Sequence, residues 1–302
     1  MIVRPKQSWL RLLFVWKGSV LQSIIPQLAF MTVVSCVAVA THGRVFGEKI
    51  PLNTTLLTLF GLTLAIFLGF RNTASYQRFD EARHLWGQLL ISARALSSQA
   101  LCYLPKEEAQ AVADEVVAVV YALKHELRQS DPTADLERLL GAQRTRALMS
   151  RSEWAPVLLH QLRQRLAEHN SAGQISDTRF WTLDAQLAEL GRAVGGCERI
   201  ASTPIPFAYG VLLHRTVYTY CVLLPFGLVD AAEVFTPLLC VFLSYTLIAL
   251  EAIANEVSEP FGLTPHALAL DAMSRNIERS VFELCGRELP PAVEPGSAYQ
   301  LT

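Results

Sequence analysis

Leu62, Ile66 and Phe70 stand at i, i+4 and i+8 in an uncharged stretch, so on a helix they share one face. They cover roughly 12 Å of helix at 1.5 Å per residue. In a symmetric oligomer that face would stack three rings of apolar side chains around an axis, and such a constriction gates ions by dewetting. Ordinary packing and lipid contact use the same residue types, so the spacing alone does not single out a pore. Arg71, Arg78 and Arg83 follow on the polar side. There they either bias a vestibule toward anions or pair with Asp80 and Glu81. His214-Arg215 interrupts a second apolar stretch. A charge at mid-bilayer costs roughly 2.5–3.5 kcal/mol even on the lenient insertion scale. Arg215 therefore belongs in a pore wall, in a buried ion pair, or at the cytosolic interface where the bilayer begins.

The elements that carry these residues follow from the charge pattern. Only 18% of the 302 residues are charged, where soluble domains carry about a quarter, and the shortage is concentrated in a few runs. Gly18 to Thr41 and Ile50 to Phe70 are uncharged and are joined by a polar hinge with His42, Gly43, Arg44 and Lys49. Apolar character returns from Pro204 to Val229, and again from Val234 to Leu250, with Asp230 and Glu233 between and Glu251, Glu256 and Glu259 after. Each run is near the 20 or so residues needed to cross a hydrocarbon core. Pro204, Pro206 and Pro225 predict a broken or bent third helix, and free amides at such helix starts can bind anions.

The block from Arg71 to Arg199 is polar with helical periodicity, seen at Val112, Val116, Val119, Val120 and Leu123 and at Leu183, Leu187 and Leu190. Asp131-Pro132 and Asn170 to Gly173 mark breaks in it. There is no alternating β-run and no repeat. A last helix is expected from about Leu270 to Leu284, before a Pro-rich tail.

The fold class is therefore all-α, an integral membrane protein with four transmembrane helices and a long-helix cytosolic domain. The expected parts are 1–70, with spans about 20–41 and 50–70; a cytosolic helical domain, 71–203; a second hairpin, 204–256; and a cytosolic C-terminal segment, 257–302. Arg4, Lys6, Arg11 and Lys17 and the basic residues of the middle block put the termini and that block in the cytoplasm by the positive-inside rule. The expected location is the cell membrane, multi-pass, and in a Gram-negative source the inner membrane.

Several function classes find no support. A net charge of -1 gives no field for nucleic acid. The six cysteines are scattered without CxxC spacing, which fits neither a disulfide framework nor a zinc site. No phosphate loop and no acid–base–nucleophile cluster stands out, so neither ATP-driven transport nor an enzyme is expected, and no cofactor. Trp9 and Trp16 flank the first span as an interfacial belt. Trp86, Trp154 and Trp181 read as packing residues. His125, His160 and His169 read as surface or packing.

Three blocks carry a resemblance. The first is Gly69-Phe70-Arg71-Asn72-Thr73-Ala74-Ser75-Tyr76-Gln77-Arg78-Phe79, with Glu81-Ala82-Arg83 and Trp86-Gly87. The second is Cys197-Glu198-Arg199-Ile200, through Thr203-Pro204-Ile205-Pro206-Phe207-Ala208-Tyr209 to His214-Arg215-Thr216-Val217-Tyr218. The third is Glu259-Pro260-Phe261-Gly262 with Leu270-Asp271. In order and spacing the chain resembles the bacterial bestrophin-like ion channel family over nearly its whole length.

The resemblance implies a homopentamer around a central pore, its partners being copies of itself, membrane lipid and small inorganic ions. The family's neck positions fall on Leu62, Ile66 and Phe70. Its cytosolic constriction falls in Ile175 to Phe180, where Thr178 and Phe180 are both candidates. Arg71, Arg78 and Arg215 become candidate vestibule or interface charges. Eukaryotic members hold calcium with an aspartate run after the Pro-Phe-Gly block. Here Leu263-Thr264-Pro265-His266-Ala267 follows instead, and it cannot supply the six to eight oxygens calcium wants. The implied function is passive conduction, with chloride as the family's general label and monovalent cations as the alternative. A secondary transporter would show inverted repeats with interrupted helices in both halves, and the two hairpins give only superficial two-fold order. A membrane-anchored scaffold is the other alternative.

Overall fold

The computed structural model describes residues 1–4, 8–16, 18–46, 48, 49, 52, 54–296 and 299–302. Lys6, Lys17 and Ile50, which entered the charge and span expectations, lie outside the described residues. Among the described residues eleven α-helices run in chain order: α1 Trp9–Leu13, α2 Leu21–Ala40, α3 Thr54–Tyr103, α4 Lys106–Arg128, α5 Thr133–Leu140, α6 Ala142–Met149, α7 Trp154–Ser171, α8 Asp177–Ser202, α9 Phe207–Ala232, α10 Thr236–Val257 and α11 Leu270–Leu284. Among the described residues the paired strands are two-residue segments, β1 Arg44–Val45 and β2 Glu48–Lys49, antiparallel in the hinge after α2. α2 and α9 begin and end within a few residues of the expected runs, whereas the helix of the second run does not stop near Phe70 but continues as α3 to Tyr103, and α10 continues past Leu250 to Val257. The third differs from expectation. α9 runs unbroken across Pro225, and the break falls before it, at Pro204 and Pro206.

The chain divides into two compact units, one of residues 4–79 and 204–259, the other of 1–3, 80–203 and 260–302. Among the described residues three stretches are long and apolar enough to cross a membrane: α2, α3, and α9 with α10 joined by the 3-10 turn Glu233–Phe235. The first unit holds α2, α9, α10 and the part of α3 up to Phe79. α2 packs on α9 and α10. Its Ile24 and Met31 meet Leu213, Val217 and Cys221 of α9 and Ile248 of α10 in one apolar cluster, which Leu64 of α3 joins. The buried stripe of α10 is Thr236, Cys240, Ser244, Ile248, Glu251 and Ala254. Most are small, and small residues let helices approach closely where lipid replaces water. The hairpin after α2 turns at Gly43, whose φ of +73° and Val229 Cγ1 at 2.9 Å from a would-be Cβ leave no room for a side chain. Lys49 reaches Asp230 at 2.6 Å.

In the second unit α4 is the central helix. Its residues from Glu115 to Lys124 are all buried, and α5, α7, α8 and α11 pack around it. A cluster of charges ties α4 to α5 and α11: Lys124 Nζ lies 3.1 Å from Asp135 Oδ2 and 3.2 Å from Asp271 Oδ1, and Arg128 Nη1 lies 2.6 Å from Asp271 Oδ2. The chain ends meet in the same unit, with Ile2 bridged to Gln300 and the Val3 amide donating to the Tyr299 carbonyl. His125 and His169 are half-buried packing residues, as expected, and each also carries a polar contact. His125 Nε2 lies 3.0 Å from Asp135, and His169 Nε2 lies 3.3 Å from Glu108. Trp86 is buried as expected, but Trp181, expected to be a packing residue, is 71% exposed. It lies near the start of α8, between the half-buried Phe180 and Thr182.

The cluster makes a pH prediction. Burial pushes the Asp135 carboxyl up, but hydrogen bonds and charge from His125 and Lys124 outweigh it and hold it at about 2 against an ordinary 3.8. A depressed folded value means that the stabilisation is complete above pH 4 and is lost as pH falls toward 2. Thermal unfolding of wild type should lose on the order of 2 kcal/mol over that window. Asp135→Asn should start lower and lack that part of the acid limb.

Candidate functional site

α3 enters the first unit along a narrow contact. Leu57, Leu64 and Leu68 are buried and Gly61 is half-buried. Gly61 is small for a reason: a Cβ there would stand 2.7 Å from the Tyr220 hydroxyl on α9. These four positions form a single strip at i, i+4, i+7 and i+11. At about 100° per residue, Leu62, Ile66 and Phe70 lie on the far side of the helix, roughly 170° around from it. They are 59%, 50% and 69% exposed. The same face carries Leu59 above them. It turns polar at Thr55 toward one end and at Thr73 and Gln77 toward the other. Of the three apolar stretches, the α3 window is the least buried within the chain, at 17% against 22% and 33%. An apolar helix so little covered by its own chain is covered in the membrane by lipid, by other copies, or by both.

Arg71 lies on the side of the strip rather than on that face. Its Nη2 donates to the Asn255 side-chain oxygen, and its guanidinium lies against α9 at Gly210, 3.6 Å from where a Cβ would stand. Arg78 Nε donates to the Ser258 carbonyl at 2.7 Å. The two arginines are thus drawn toward the C-terminal part of α10. Of the carboxylate pairings expected for the three arginines, that of Arg83 with Asp80 forms. Asp80 takes Arg83 at 2.6 Å within α3, and Glu81 takes Arg199.

Sequence reasoning treated Glu251 only as a charge ending the fourth span. It is 3% exposed, faces inward from α10 and pairs with His214 Nδ1 of α9 at 2.9 Å. A signal for it existed, since Glu251 falls in register with the stripe Cys240, Ser244 and Ile248. Arg71, His214, Arg215 and Glu251 all line one cavity of about 370 Å³ in this unit. Arg215, the neighbour of His214, is exposed, and among the described residues no hydrogen bond or ion pair engages it.

In the other unit, Thr178 and Phe180 sit in the first turn of α8. The Ser176 side chain caps that turn by accepting from the Arg179 amide at 3.4 Å. Thr178 is exposed and Phe180 half-buried, whereas Ile175, just before the helix, is buried. Burial pushes the Cys197 thiol of α8 up to about 12, helped by the charges of Glu198 and Glu81, so it stays protonated and unreactive.

Comparison with known proteins agrees with these features. The family described as "Bacterial/Fungal Bestrophin protein" matches residues 1–283. The chain is 44% identical over 291 residues to a voltage-dependent anion channel-forming protein of Ralstonia nicotianae, covering 95% of each. It is 38% identical over 306 residues to the Escherichia coli K12 protein of the same description, covering 100% of each. The crystal structure of a bacterial bestrophin homologue from Klebsiella pneumoniae superposes with a TM-score of 0.85 at 40% identity, over 88% of this chain and 99% of that one. With the family matched over nearly its whole length and the same fold in a solved relative, the chain is a membrane protein that belongs to the bacterial and fungal bestrophin family.

Proposed function

We propose that the chain is one subunit of an ion channel that passes small anions passively, chloride among them. The subunit crosses the membrane four times, through α2, the first part of α3, α9 and α10, with both termini and the helical domain in the cytoplasm. Five copies surround one pore. Leu62, Ile66 and Phe70 line its neck, and the α8 start with Thr178 and Phe180 forms a second, cytosolic constriction. The observation that carries this reading is the far face of α3, which is apolar, exposed and turned away from the strip that holds the helix to its own chain. The names of the relatives, anion channel-forming proteins, support the choice of ion.

Chemically the neck does little more than control water. An ion entering apolar rings must shed hydration with nothing to replace it, so a dry neck is closed. With no charged residue on the face between Leu59 and Phe70, selectivity must arise from charge at the two mouths and from pore width.

Planar-bilayer recording of the purified protein across a tenfold KCl gradient tests this. Discrete currents that reverse toward the chloride equilibrium potential are expected. Reversal toward the potassium potential would make it a cation channel of the same family. Silence from wild type and from a widened neck alike would return the choice to a transporter or a scaffold.

A further inference from the structure

Arg215 is a cation on an apolar helix with no partner among the described residues. It lies about 12 Å along α9 from Phe207, deep enough that an uncompensated guanidinium is costly in a bilayer. A second cavity of about 350 Å³ begins at this side chain. It runs between α9 and the start of α3, walled by Leu56, Leu57 and Phe60 on one side and by Leu223 on the other, with Thr219 along it. From Arg215 to Leu223 the slot spans about 12 Å of α9. Arg215 also borders the polar cavity that holds His214 and Glu251. One cation therefore stands where a polar cavity and an apolar slot meet.

We infer that Arg215 and this slot form a binding site for an anionic amphiphile, with its carboxylate or phosphate on the guanidinium and one acyl chain along α9 toward Leu223. Each part of the site excludes simpler ligands. A small inorganic anion would leave the slot walls unfilled. A neutral hydrocarbon would leave Arg215 uncompensated. A ligand with an added cationic group gains nothing in the slot, because Glu251 is inward-facing and taken by His214. An acyl chain matches the mostly apolar walls, which also carry Thr216, Thr219 and Tyr220, and a carboxylate or phosphate matches a guanidinium's forked donors. The fatty acid and the anionic phospholipid share this chemistry. The inference does not depend on which ion the channel passes.

The test is binding of radiolabelled oleate to the full-length protein in neutral detergent. Saturable binding near one per chain is expected. Arg215→Gln should weaken it about tenfold or more, Arg215→Lys should retain most of it, and oleyl alcohol should bind about tenfold or more weaker than oleate. Thr219→Trp, which fills the slot and keeps the charge, should abolish it. Displacement of oleate by dioleoyl phosphatidylglycerol, but not by phosphatidylcholine or inorganic phosphate, would identify the physiological ligand as a phospholipid. Displacement by other fatty acids alone would identify it as a free acid. Equal binding of oleate by wild type and Arg215→Gln, equal binding of the alcohol, or no saturable binding would overturn the site. Binding that appears only after the oligomer is dissociated would also overturn it, because a second copy would then fill the slot. Should Thr219→Trp fail to elute as wild type, the two arginine variants decide the matter.

Discussion

Replacing Leu62, Ile66 and Phe70 together by alanine should raise the open probability of the channel at least tenfold, about 1.4 kcal/mol off the barrier to wetting. The direction follows from chemistry. Where the three side chains line the proposed neck, each substitution widens it and removes apolar surface, whose burial from water is worth about 0.8 kcal/mol per methylene, so water should enter more readily. What makes the experiment clean is the position of the three side chains. They are at least half exposed in the isolated chain and stand opposite the strip that joins α3 to its own unit, so their loss leaves that packing intact. Leu64 is the control. It is 2% exposed and belongs to the cluster with Leu213, Val217 and Cys221. Leu64→Ala should therefore destabilise the fold by roughly 2–5 kcal/mol and lower the yield of channels without raising the open probability of each. A triple variant that conducts like wild type in single-channel records would put the gate elsewhere.

How far the sequence could lead is clearest at α3. Its first half was legible because a run of uncharged residues has one physical meaning, and the i, i+4, i+8 spacing followed from helix geometry. Its second half, where charges begin at Arg71, has the sequence pattern of separate cytosolic helices. A change of solvent does not end a helix, however. No proline interrupts residues 71–104, and Pro105 is the first residue that removes a backbone donor. The helix accordingly runs on to Tyr103. α11 was legible to the residue, because a strong apolar period ends before a glycine and a proline-rich tail. The partners of Arg71 and Arg78 were not, since an asparagine and a carbonyl far along the chain leave no mark in local spacing. Nor was the burial of Glu251, although its register on α10 carried the signal. Polar residues that follow a membrane span are read as leaving it, and only the position on the helix face says which of them turn back inward.

Glu278→Ala should be the most damaging single change outside the membrane helices, at roughly 3–5 kcal/mol. Glu278 is fully buried on α11. Tyr121 of α4 donates its hydroxyl to Glu278 Oε2 at 2.7 Å, Arg275 reaches the same oxygen at 3.0 Å, and Arg138 of α5 holds Oε1. One carboxylate thereby ties three helices together. Burial, and then the Glu278 carboxylate itself, push the Tyr121 phenol far up, so it remains a donor throughout the working range. Truncating the acid strands two guanidiniums and a buried hydroxyl at once. Arg138 can turn toward water, since its side chain is 41% exposed, whereas Tyr121 cannot. That asymmetry places the expected loss nearer 3 than 5 kcal/mol. It also orders a series: Tyr121→Phe removes one hydrogen bond and leaves both charges paired, about 1–2 kcal/mol, and Glu278→Gln keeps the acceptor for Tyr121 but not the charge, so it should fall between. Thermal unfolding of the purified protein gives that order directly. Equal melting of Glu278→Ala and Tyr121→Phe would mean that the arginines contribute nothing and that the hydroxyl alone joins α4 to α11.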